Sequence, residues 1–169
     1  MLQSISDQGR KISKEDIAYL EGEIGHKFPS EYMRFLLDYN GGMPQPDCHD
    51  VQNTEGTNIG SFVGIHVFYS IAGVEAKSSD QEDDYTIEWS YSTYQGRIPE
   101  NFLPIGEDAG GNQICLSLNG EDRGSVWYWD HEAEIAPPSY RNCYKIADSF
   151  QTLLDGLFEY DYENHKRIS

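Results

Sequence analysis

Cysteine, histidine and aspartate stand side by side at Cys48-His49-Asp50, the residue types from which a thiol nucleophile, its base and an orienting carboxylate are built. Catalysis requires the three to converge in space, with the base within hydrogen-bond reach of the sulfur. The other cysteines, Cys115 in mid-strand and Cys143 at the start of another strand, read as small buried hydrophobes. Cys48, placed in a loop, is therefore the strongest thiol candidate. A metal could draw on Cys48, His49, Asp50, His66, Asp130 and His131. No pair among them has the i, i+4 spacing or the two intervening residues of known ligand motifs. Asp130 and His131, read as neighbours on a strand, point to opposite faces. No metal and no cofactor are expected.

The turn Asp108-Ala109-Gly110-Gly111-Asn112 has the glycines of a phosphate loop. It lacks the following Lys-Ser/Thr and leads into a strand rather than a helix, so phosphate cradling is not indicated. The carboxylate pairs Glu107-Asp108 and Glu121-Asp122 sit at turns, where a solvated acid or a local backbone bond is the default. The chemistry on offer is that of a binding surface rather than of catalysis. Trp89, Tyr91, Tyr94 and Trp127 are the aromatics that could anchor a partner, with packing in the core as the competing use.

The elements that position these residues follow from the pattern. Ser13-Lys14-Glu15-Asp16 reads as a capping box, and Ile17, Leu20 and Ile24 recur at helical spacing up to Gly25. Pro29 opens a second helix with Tyr32, Phe35, Leu36 and Tyr39 as its stripe, stopped by Asn40-Gly41-Gly42. Residues 43–60 read as a loop with a short strand or hairpin around Thr54-Glu55-Gly56, and residues 61–71 as a strand or buried turn. Ile87, Tyr91 and Tyr94 predict a short helix over about 84–95. Ile114, Leu116 and Leu118 alternate, and "SVWYWD" after "NGEDRG" completes an antiparallel hairpin. "CYKIA" forms a further strand, and a last helix capped by Asp148 or Ser149 carries Phe150, Leu153, Leu154, Leu157 and Phe158. The tail "ENHKRIS" has no core signal and is expected to fray. Together these give an α+β fold.

A chain of 169 residues fits one domain, here read as residues 1–169 with a core of about 12–160. Three cysteines without C-x-x-C spacing suggest neither a disulfide framework nor a zinc ribbon, which fits a reducing compartment. No segment has the composition of a signal peptide or of a membrane span, so a cytoplasmic protein is expected. The net charge is -17. Between Asn40 and Glu134 stand 17 acids against Lys77, Arg97 and Arg123, so this middle stretch holds -14 of the total. Such a field repels nucleic acid and draws basic partners at rates that fall with salt.

Several stretches resemble one known family. "LEGEIGHKFPSEYMRFLLDYNGG", "VFYSI", "RIPENFLPIGEDAGGNQICLSLNGEDRGSVWYWDHE" and "IADSFQTLLDGL" are similar, in this order, to the signature segments of the SUKH superfamily. The resemblance runs from about Ile17 to Leu157, departing at Ser70, where the family usually has Gly, and in the loops. It implies an α+β fold with a central, largely antiparallel sheet, on which two N-terminal helices and a C-terminal helix pack. It implies no catalytic residues. Bacterial members resemble immunity proteins that bind and neutralise polymorphic or contact-dependent toxins, often nucleases; fungal members resemble regulators of cell-wall assembly. The motif residues Pro29, Asn40, Gly41, Gly42, Gly111, Asn112, Trp129, Asp130 and His131 are expected to be structural.

On this reading the expected partner is a basic toxin domain, such as a nuclease, with a cytosolic regulatory module as the alternative. The residues nominated to meet it are Asp80, Glu82, Asp83, Asp84 and Glu88 for charge, with Trp89, Tyr91 or Tyr94 as anchor. Asp47, Asp50 and Glu55 form a second acidic patch.

Overall fold

The computed structural model describes residues 1–73 and 85–168. Its first helix, α1 (Lys14–Ile24), begins at the capping box that the sequence announces. Ser13 Oγ accepts the Asp16 N–H, and the Asp16 carboxylate accepts the Ser13 N–H in return. Gly25 ends the helix with φ 82°, a left-handed conformation that glycine adopts without a Cβ penalty. Glu21 then joins α1 to the next helix. Its buried carboxylate accepts the Phe28 N–H at 2.8 Å and the Lys27 ammonium at 2.6 Å.

The second helix, α2 (Ser30–Asp38), has Pro29 as its N-cap and buries Tyr32, Phe35 and Leu36. Its stop is Asn40 (φ 51°), Gly41 and Gly42. Asn40, only 2% exposed, uses its whole amide: Oδ1 accepts the Ile71 N–H, and Nδ2 donates to the carbonyls of Arg10 and Ile71. A Cβ at Gly42 would lie 2.4 Å from the Ser6 carbonyl oxygen, so the chain crossing there needs glycine.

The stretch after α2 is more regular than the expected loop. Strand β1 (Ser4–Ser6) pairs antiparallel with β2 (Met43–Gln45), and β3 (Cys48–Asp50) pairs with β4 (Phe62–Gly64). The hairpin expected around residues 54–56 is the connection between β3 and β4. The apolar run 61–71 divides between β4 and β5 (Val67–Phe68), which belong to different sheets.

The central sheet has the order β5-β6-β7-β8-β9, antiparallel throughout. Its strands are β6 (Phe102–Glu107), β7 (Gln113–Ser117), β8 (Val126–Trp129) and β9 (Cys143–Ala147). The hairpin read from the alternation is β7-β8. Its flanking strand β6, interrupted by Pro104 and a bulge between Pro104 and Gly106, carries no comparable signal.

Helix α3 (Ile87–Tyr94), capped by Thr86, packs on β6, and α4 (Phe150–Gly156), capped by Ser149, packs against α2 and β9. The α+β architecture with a largely antiparallel central sheet is as the resemblance implies. One core joins α1, α2 and α4 to a single face of that sheet through Leu103, Ile105, Ile114, Leu116, Val126 and Ile146. Phe150 sits at its centre, with ring contacts to Tyr32, Phe35 and Phe68 at 4.9–5.7 Å. The tail does not fray. Residues 159–168 form the hairpin β10 (Glu159–Asp161) and β11 (Lys166–Ile168), held by Arg167 stacked 3.5 Å over the Phe158 ring and paired with Asp50 at 3.2 Å.

Candidate interaction surface

The residues nominated for chemistry do not converge. Cys48 lies on β3, fully buried, and not in a loop. The neighbouring His49 side chain bonds the Asp50 carbonyl through Nδ1, not the thiol. Burial pushes the Cys48 thiol up to about 11 and Cys143 up to about 12, and also raises fully buried Cys115. A thiolate nucleophile needs a shift in the opposite direction. Among the described residues no three His, Cys, Asp or Glu side chains gather as a metal site would require.

Asp130 and His131 are not strand neighbours. Asp130 caps a 3-10 helix at His131–Ala133, so the two side chains serve the same corner of the fold. Asp108 organises the Gly-Gly turn opposite: its carboxylate accepts the N–H groups of Gly110 and Asn112, the Asn112 amide and the Tyr128 hydroxyl, at 2.7–2.9 Å. Burial first, and then this bond to Asp108, raise the Tyr128 hydroxyl, so it stays a donor. Asn112 Oδ1 reaches across to accept the His131 N–H at 3.0 Å and bonds the His131 ring Nδ1 at 2.7 Å. The segment quoted as a family signature is thus a latch that ties the two ends of the β7-β8 hairpin together.

The nominated acidic cluster is divided. Asp80, Glu82, Asp83 and Asp84 lie outside the described residues. Glu88, at the start of α3, turns its carboxylate to the N–H groups of Ala72 and Gly73 at 3.2 and 3.3 Å. Trp89, half-buried, stands edge-on to Tyr94 at 6.4 Å. Tyr94 packs on Trp129 at 5.6 Å, takes a hydrogen bond from Gln113 and carries the Arg97 guanidinium 5.0 Å above its ring. Tyr91 is half-buried and faces a groove described below. In the second patch Asp47 and Glu55 are exposed, while Asp50 is paired with Arg167.

The second face of the central sheet is where aromatic surface is left uncovered. A small cluster of Ile98, Phe102, Cys115, Trp129 and Cys143 lies there, with Tyr94 and Trp127 at its edge. Trp127 and Tyr140 stand nearly perpendicular, 5.1 Å apart, and both touch Phe102. Their polar atoms are bound within the fold. The Trp127 indole donates to Ser125 Oγ at 2.7 Å, and the Tyr140 hydroxyl donates to Asp122 Oδ2 at 2.8 Å while accepting from Asn101 Nδ2. Burial, with Asp122 adding to it, pushes the Tyr140 hydroxyl up to about 12, which keeps that donation in place. Ser117 Oγ donates to the other carboxylate oxygen of Asp122 at 2.9 Å.

On the far side of Phe102 a groove of about 520 Å³ runs between the end of α1 and the segment after α3. Its lining is mixed: Ile24, Tyr91, Ile98, Pro99, Leu118 and Pro138 supply the apolar part, and His26, Gln95 and Glu100 the polar part. Of these features the sequence singled out Trp127 and Tyr91. It read Asp122 as a turn acid and missed Phe102 and Tyr140; the three come from separate segments, joined when β6 pairs with β7 and the turn at Tyr140–Asn142 folds back.

The chain is thus an acidic α+β domain with buried thiols, a latched hairpin and an aromatic surface held by hydrogen bonds. Residues 11–156 match the model of the SMI1 / KNR4 family (SUKH-1), and the chain belongs to that family. Its domain is generally a non-catalytic one that binds other proteins. The chain is also similar, 28% identical over 95% of its length and 83% of the relative's, to the SPbeta prophage-derived uncharacterized protein YokK of Bacillus subtilis. No helix among the described residues is long and apolar enough to cross a membrane.

Proposed function

We propose that this chain is a cytoplasmic immunity protein that neutralises a cognate toxin, a basic nuclease domain being the partner that best fits its charge, by binding it directly. The observation that carries the reading is the concentration of -14 of the net -17 between Asn40 and Glu134, on a frame of the SUKH-1 family. An acidic surface steers a basic partner into encounter, and desolvated pairs formed afterwards cost about 2 to 5 kcal/mol to break. The prophage origin stated for the similar Bacillus subtilis protein supports the reading, since mobile elements carry defence and competition genes. The buried, protonated thiols support inhibition by occupancy rather than by chemistry.

The test is a pull-down from the source cell with stepped salt elution, followed by co-expression of the recovered toxin domain. Recovery of one basic domain whose toxicity the chain abolishes is the expected result. Recovery of cell-wall or signalling proteins instead would overturn it in favour of a regulatory module. The acids at 80–84 remain part of the proposed steering surface, together with Asp47 and Glu55. Exchanging them for Asn and Gln should slow association and flatten its salt dependence while leaving dissociation nearly unchanged.

A further inference from the structure

We propose that the open face of the central sheet is a docking site for a basic protein segment. An arginine lies on the Trp127–Tyr140 shelf beside Asp122, and a neighbouring apolar side chain fills the groove across Phe102. This rests on the basic-partner reading above and places the anchor on residues distinct from the acids that steer.

Three observations converge on that occupant. The shelf is rigid, because the indole N–H is bound to Ser125 and the Tyr140 hydroxyl to Asp122. What the two residues offer outward is therefore ring surface, and Tyr140 is 40% exposed. Fixed aromatic rings with their polar handles already satisfied are the usual make-up of an interface anchor, and they favour a cation above the ring face. The charge beside the shelf is also fixed. Asp122 is held by two hydroxyl donors, Ser117 and Tyr140, and Glu121 next to it is exposed. Arginine suits this place better than lysine, since its planar guanidinium stacks on a ring while its edge donates to a carboxylate.

The groove supplies the third observation. Phe102 lines the groove and also supports Trp127 and Tyr140, so groove and shelf lie on either side of one buried ring. The groove lining includes Glu100, a third acid on the route of a basic chain after Asp122 and Glu121. Of the nearby cations, Arg123 donates to the Lys27 carbonyl at 3.1 Å and Lys145, opposite Trp127 on β9, is paired with Asp148, while Arg141 beside Tyr140 is exposed. An extended segment carrying an apolar residue beside an arginine matches groove and shelf together.

The probe is the blocked tetrapeptide Gly-Leu-Arg-Gly, with Gly-Leu-Glu-Gly as control, titrated into the isotope-labelled full chain and followed by NMR. The Trp127 indole signal is assigned through Trp127→Phe. The expected result is saturable movement of that indole and of the 119–122 amides with the arginine peptide, absent with the glutamate peptide. Asp122→Asn should weaken binding about three- to fivefold, toward the upper end of one exposed cation–π or carboxylate contact. Glu121→Gln, an exchange on an exposed turn, should weaken it about twofold without touching the fold. No saturable movement at Trp127, equal response to both peptides, or unchanged affinity in a folded Asp122→Asn chain would each overturn the site. The two proposals separate cleanly. A protective toxin bound equally well by Trp127→Ala removes the site and leaves the immunity reading; peptide binding without any toxin partner does the reverse.

Discussion

The central sheet has two faces with unequal cover. On one, Ile114, Leu116 and Val126 meet α1, α2 and α4 and are fully buried, with Phe150 wedged among three other aromatic rings. On the other, among the described residues, the end of α3 and the segments around Ile98 and Tyr140 lie across the strands, and Trp127 and Tyr140 keep part of their ring surface outside. The first face is closed mainly by apolar packing, with the Tyr69 and Tyr128 hydroxyls bonded to Glu107, Gln113 and Asp108. The second is held by directed bonds: Ser90 to the Pro104 carbonyl, Gln113 to Tyr94, Arg97 to Glu134, and Asp122 to Ser117 and Tyr140. Packing gives stability, whereas directed bonds fix side chains in orientations that a partner can use. A domain that works by binding needs both, and here they are assigned to opposite sides of one sheet.

The comparison breaks first on stability. Phe150→Ala opens a cavity in the closed face and should cost about 3 to 5 kcal/mol in chemical denaturation. Trp127→Ala should cost only about 1 to 2 kcal/mol, as expected for a half-buried ring. Equal losses would mean that the second face is as much a core as the first. Asn112→Ala falls between them. It leaves the Asp108 turn and His131 without their bridge and should cost about 1 to 3 kcal/mol, with hydrogen exchange rising at both ends of the β7-β8 hairpin.

The smallest expected effect concerns the strap over the open face. Hydrogen bonding by Arg97 holds the Glu134 carboxyl below its ordinary value of 4.5. The folded-state value is the lowered one, so this stabilisation is present above pH 4.5 and disappears as pH falls through the lowered value. Glu134→Gln should therefore cost less than about 1 kcal/mol near neutrality, because solvent screens the pair, and nothing in acid. Thermal melts of both chains at several pH values check this; a difference that persists in acid would assign the pair another role.

Much of the frame was legible in local signals. Ser13 with Asp16, Gly25, Pro29, Asn40-Gly41-Gly42 and Ser149 mark helix ends by residue type and local backbone preference, and each stands at a helix end in the structure, where the Asn40 side chain also bonds the distant Arg10 and Ile71. The alternation of residues 113–118 located β7, although both its faces are buried, because Cys115 and Ser117 on the second face are small. Strands β1, β10 and β11 are three residues long and have no period to detect, so they arise only through pairing. Cys48 was misplaced in a loop for the same reason.

The sequence by itself determined the helices, the hairpin, the charge balance and the family, since caps, hydrophobic spacing and composition are properties of short stretches or of the whole chain. The tertiary structure alone decided which acids remain free and which aromatics face outward. Glu88 spends its charge on Ala72 and Gly73, Asp108 on its own turn, and Asp50 on Arg167 from the far end of the chain. Asp122, Trp127 and Tyr140 meet beside Phe102 because sheet register and a 3-10 turn bring the β6 strand, the β7-β8 hairpin and the segment before β9 together. Hydrogen bonds and burial act at a few ångströms, and which groups come that close is set by the folded path of the chain rather than by its local pattern.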